Sequence, residues 1–184
     1  MGNKSTTKKM VLLSILVALG VVFSLVDGFI TTSLVATMPF LAYIMPAGFK
    51  IGLANVVVLI IVLNFRFKDG LITVILKSFL VSFIFGHYIT FAIGFSGTML
   101  SFFVMYGLKK ISKSAINIVI LSLAGAIAHT TGQIVGAGVF ALYGWGVLGL
   151  VPQTLSVALI AGFFMGVIAK SVNTYLQNSY LLLE

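Results

Sequence analysis

Cysteine is absent, proline and the acidic residues number three each, and charged side chains of either sign make up only 8% of the 184-residue chain. Without cysteine there is neither a disulfide framework nor a thiolate metal site. The acidic residues, Asp27, Asp69 and Glu184, are isolated from one another. That excludes a paired-carboxylate catalytic site, a carboxylate-rich metal site and the aspartate-rich motif that binds magnesium diphosphate. The glycine-rich phosphate loop ending in Lys-Ser/Thr is missing as well, so the chain does not hydrolyse ATP by that route. His87 and His129, 42 residues apart, do not form a metal motif by spacing. No metal, no cofactor and no catalytic residue is expected.

What remains is apolar. Hydrophobic residues are 60% of the chain, and its mean hydropathy of +1.22 is far above that of a soluble domain. The apolar windows are long enough to cross about 30 Å of hydrocarbon as helices, whereas barrel strands would alternate in polarity over about 10 residues. The expected fold class is an all-α integral membrane protein of six transmembrane helices in one domain over residues 1–184. The net charge of +8 implies no nucleic acid, because the basic residues collect where helices end, as the positive-inside rule requires.

Along the chain, the basic segment 1–9 precedes an apolar run over 10–26, which Asp27 and Gly28 are expected to close on the outer side. The run lacks a clear cleavage site and reads as a retained helix. Residues 29–48, broken by Pro39 and Pro46, read as a short helix and loop folded against the bundle on the outer side. Further helices are expected over 49–65, 70–86, 89–108, 115–142 and 147–169. Arg66, Lys68, Lys109, Lys110, Lys113 and Lys170 then fall on one side with both termini, including a tail over 171–184, which places that side in the cytoplasm.

Two lysines do not fit this pattern. Lys77 lies in the third helix near the middle of the bilayer, and Lys50 lies at the outer mouth of the second. Each either snorkels to an interface, pairs with a group such as Asp27 or His87, or meets an anionic ligand. In the fifth helix His129, Thr130, Thr131 and Gln133 form a polar cluster among glycines. His129 and Gln133 share a face and serve either interhelical hydrogen bonding or a pocket wall. Gln153, after Pro152 in the last helix, can face the same cavity. Phe40, Tyr43, Tyr88, Phe91, Tyr143 and Trp145 form either an interfacial belt or a stacking surface. In the first helix Ser14 with Ala18, and Gly20 with Ser24, are small-xxx-small pairs for close packing within the bundle or docking of another subunit.

The stretch PAGFKIGLANVVVLIIVLNFRFKDGLITVILK, followed by FGHYITFAIGFSGTMLSFFVM, resembles the Gx transporter family of energy-coupling-factor S-components, often labelled component I of heptaprenyl diphosphate synthase. The resemblance covers about residues 10–170. It implies a non-enzymatic substrate-binding subunit in a bacterial plasma membrane, working with a transmembrane coupling subunit and two ATPase subunits. It also implies a docking role for Ser14 and Ala18, and a substrate pocket toward the outer side with Lys50, His87, His129, Gln133 and Gln153 as candidates and Lys77 deeper. The ligand expected there is a small anionic, partly apolar vitamin or quinone or isoprenoid precursor. A non-catalytic membrane subunit of prenyl-quinone synthesis, or of flavin- or quinone-linked electron transfer, is the alternative.

Overall fold

A computed structural model describes residues 2–43, 49–86, 88–112, 116–140 and 144–178. Among them are six α-helices and no strand: α1 Gly2–Thr37, α2 Asn55–Asn64, α3 Phe67–Phe85, α4 Tyr88–Ile111, α5 Ile118–Phe140 and α6 Val151–Asn178. Two 3-10 turns, Pro39–Tyr43 and Gly144–Leu150, follow α1 and precede α6.

The first helix does not stop at Asp27. It continues through Thr37, 36 residues in all and about 54 Å long. Asp27 sits inside it, 1% exposed, because its carboxylate is satisfied by another part of the chain. The expected loop over 29–48 is therefore helix as far as Thr37, and residues 44–48 lie outside the described residues.

The second helix is shorter than expected. It has ten residues instead of the seventeen in 49–65, about 15 Å of rise and half of the hydrocarbon thickness. Residues 55–62 are all buried, so this all-round apolar helix forms the centre of the bundle, packed against each of the other five helices. Six helices are present among the described residues, as expected, but they differ in length. Four helical segments are long and apolar enough to span: Thr7–Thr37, Tyr88–Ile111, Ile118–Phe140 and Gly146–Asn178. The fifth helix begins at Ile118 and the sixth reaches Asn178, so the expected tail over 171–184 begins as helix.

Small residues set the tightest contacts. A Cβ on Gly132 of α5 would lie 2.6 Å from the Ser96 carbonyl oxygen and 2.7 Å from the Gly97 Cα of α4, so these two backbones touch. On the other face of α5, Gly162 meets Ala126 and Gly166 meets Ser122, bringing α6 equally close.

Three polar contacts fix one end of the bundle. Lys9 of α1 pairs with Asp69 in the first turn of α3. Asn64 at the end of α2 donates to Asn173 of α6 at 2.7 Å. Lys109 of α4 donates to the Val62 and Leu63 carbonyls at 2.7 and 2.9 Å. Successive helices therefore alternate in direction, and the basic residues gather at the end where α2 finishes.

Candidate functional site

Because α2 is short, the middle of the other half of the bundle is filled by residues 49–54 in non-helical conformation. Backbone of this kind at membrane depth needs partners, since no water is available to satisfy it. Asp27 supplies three. Its Oδ1 accepts from the Ile51 N–H at 2.9 Å, and its Oδ2 accepts from Gly52 at 2.7 Å and Leu53 at 2.9 Å. Gly52 has φ of 102°, a left-handed conformation that glycine adopts at little cost. Gln133, fully buried, holds the other side of the strand: Oε1 accepts from Lys50 N–H at 2.8 Å and Nε2 donates to Lys50 O at 3.0 Å. The segment is thus stitched to α1 and α5 through main-chain groups, and Lys50 lines a space beside it.

That space is a cleft of about 460 Å³, counting its open mouth. Its interior is narrow, so anything larger than a few waters requires side chains to move aside. It is lined from α1 by Ser24 and Asp27, from the 49–54 segment by Lys50, and from α2 by Asn55 and Val58. Gly52 and Ala54 of the same segment, Lys77, Ser78 and Val81 of α3, Thr90, Phe91, Gly94, Phe95 and Thr98 of α4, and His129 of α5 complete it. The cleft is in the half of the bundle remote from the basic end.

Lys77 is ten residues beyond the start of α3, about 15 Å along it, and is 5% exposed. Its stem crosses α1 at Gly20, where a Cβ would lie 2.9 Å from Lys77 Cδ. Among the described residues its ammonium makes no hydrogen bond and no ion pair, although it feels the charges of Lys50 and Asp27. His129, 8% exposed, presents a buried Nδ1 with no hydrogen-bond partner. An isolated ammonium and an orphaned imidazole nitrogen in one cleft are costly features that a ligand would relieve. The charges lining the cleft are two ammoniums and one carboxylate; Lys50 and Asp27 attract each other, which leaves Lys77 as the excess cation, so the electrostatics favour an anion. Among the described residues no group of three or more His, Asp or Glu could hold a metal ion.

Of the residues proposed from sequence, Lys50, Lys77 and His129 come together in this cleft. Gln133 stands behind it with its amide committed to Lys50. Gln153 lies elsewhere, exposed in the first turn of α6, with its amide directed at the Gly149 and Leu150 carbonyls. His87 lies outside the described residues, as do Tyr143 and the side chains of Tyr43 and Trp145. Phe91 joins the cleft wall, stacked on Phe95 at 5.4 Å, whereas Phe40 and Tyr88 are exposed. The two small pairs of α1 part company: Gly20 and Ser24 face inward and Ser14 and Ala18 outward. Sequence reasoning missed Asp27 as the organiser of the site. The available signal was the apolar run that resumes after it, ITTSLVAT, which marks a helix passing through an acid.

Residues 28–172 match the family of heptaprenyl diphosphate synthase component I, and the chain belongs to that family. No curated protein and no solved structure matches. The matched region takes in the cleft-lining residues of the 49–54 segment and of α2 to α5, while Asp27, Ser24, Ser14 and Ala18 precede it.

Proposed function

We propose that this chain is the substrate-binding S-component of an energy-coupling-factor importer, capturing a small anionic, partly apolar molecule from the outer side of a bacterial plasma membrane. The observation that carries the reading is Lys77, buried and without a hydrogen bond or ion pair among the described residues, lining one cleft together with His129. An intramembrane charge without a protein partner is the mark of a ligand or ion path. Basic residues at the opposite end of the bundle put that end in the cytoplasm, with both termini, and the cleft toward the outside. The outward face of α1, with Ser14 and Ala18 among exposed apolar side chains, is the surface offered to a coupling subunit. That subunit and two ATPases would supply the energy, since this chain has no phosphate loop.

The family description favours a second reading, a non-catalytic membrane subunit of prenyl-quinone synthesis; a subunit of flavin- or quinone-linked electron transfer belongs to the same non-transport class. Affinity purification from gently solubilised membranes separates the two. The transport reading expects a transmembrane coupling protein and two ATPases to co-purify, and cells lacking this chain to lose uptake of one small molecule. Recovery of a prenyltransferase or redox partner in their place, with uptake intact, overturns it.

A further inference from the structure

The wall of the cleft opposite the polar groups points to the shape of the ligand. We infer that the cleft takes a ring-bearing anion, with its charged head on Lys77 and its flat body on the bare Gly94 backbone against Phe91 and Phe95. The inference rests on the reading of this cleft as a substrate site and narrows its substrate class to flat, aromatic or conjugated anions, in preference to flexible isoprenoid or acyl chains.

Three observations carry it. Phe91 and Phe95, one helical turn apart on α4, stack with their planes inclined by 29°, and both line the cleft. Aromatic faces favour offset stacking with another flat ring over contact with a flexible chain. Gly94, between them in sequence, also lines the cleft, and a Cβ there would meet nothing within 4 Å. It differs from Gly97, Gly132 and Gly136, where a neighbouring helix comes within 3.1 Å of such a Cβ. Helix packing explains those glycines and does not explain Gly94, where the absent side chain leaves room on the ligand's side. The third observation is polarity. Thr98 and Ser78 donate their hydroxyls to the Gly94 and Val74 carbonyls of their own helices, so the charged donor of the cleft wall on α3 is Lys77. A cationic ring would face the Lys77 ammonium, the excess positive charge of the cleft.

Substitution at Gly94 gives a test that does not disturb the fold, because the position has space and a non-glycine residue favours the helix. The full chain in lipid nanodiscs is titrated with 2-naphthoate, octanoate and 2-naphthylmethylammonium, with binding followed by native mass spectrometry and thermal shift. The naphthoate is expected to bind about twofold to tenfold more tightly than octanoate, the margin that ring stacking can add, and the ammonium probe not to bind. Gly94→Leu is expected to abolish naphthoate binding while unfolding at the parent's temperature, and Lys77→Met to weaken it by about tenfold to a hundredfold, the range for a hydrogen bond to a charged group. Octanoate binding as tightly as naphthoate, binding of the ammonium probe, or naphthoate binding unchanged in Gly94→Leu each overturns the inference. The transport reading fails separately: naphthoate binding in a chain that never co-purifies with ATPases leaves the ligand class standing. A chain-selective cleft in a chain that does co-purify leaves transport standing and removes the ring.

Discussion

The carboxylate of Asp27 holds the N–H of Gly52 at 2.7 Å across 25 residues of sequence, and it takes the N–H groups of Ile51 and Leu53 as well. One side chain of α1 thereby replaces the water that three buried amides of a non-helical segment would otherwise need. The three amides lead into the first turn of α2, where a negative charge also complements the helix dipole.

Replacing Asp27 by Ala strands those amides. Each unsatisfied buried group costs about 1–3 kcal/mol, so the variant is expected to unfold far below the parent in a detergent thermal melt or to fail to accumulate. Asp27→Asn retains one acceptor oxygen and should fall between the two. A parent-like melting curve for Asp27→Ala would show that the segment is held by something else.

At the other end of α2, Lys109 donates to the carbonyls of Val62 and Leu63, whereas Lys110 is exposed. Lys109→Met is expected to destabilise the ligand-free protein by about 1–2 kcal/mol, and Lys110→Met by no more than about 0.5 kcal/mol. The pair is compared by chemical or thermal denaturation in the same detergent, and equal effects would reduce Lys109 to an orientation charge.

Gly132→Ala places a methyl group 2.6 Å from the Ser96 carbonyl oxygen. The α4 and α5 backbones must then separate, at a cost of about 1–3 kcal/mol. Gly107→Ala, on α4 in open space, should be neutral or slightly stabilising because alanine is the better helix former. Similar melting temperatures for the two variants would mean that the α4/α5 contact is looser than described.

Lys77→Met removes a buried charge that has no protein partner among the described residues and keeps the volume of the stem. Ligand-free stability should be unchanged or higher, while retention of the native ligand after gentle purification should be lost. A variant that is destabilised yet still retains the ligand would make Lys77 a structural residue.

Much of this was legible in residues taken singly. Lys77 stands out as a cation inside an apolar run, and its depth follows from counting residues at helical rise. His129 and Gln133 stand out as a polar pair on one helical face. Their division of labour was not legible: Gln133 holds main chain and His129 faces the cleft. Position on a helix fixes direction only to within a turn, and the partner of Gln133 is 83 residues away. Gln153 misled for the same reason, since its face of α6 turns outward. Asp27 misled more deeply, because an acid beside a glycine reads as a helix end when its long-range partners are invisible.

By itself the sequence determined the all-helical membrane class, the basic end of the bundle, the isolation of its three acidic residues and the presence of a lysine at depth. These follow from composition and from the cost of burying charge, which are local quantities. Tertiary structure alone decided that α2 stops after ten residues, that Asp27 and Gln133 hold the segment before it, and that a cleft opens beside that segment. Those outcomes depend on which distant side chains can satisfy backbone groups that neither water nor the chain's own helix can reach, a matter of three-dimensional pairing that no run of residues records.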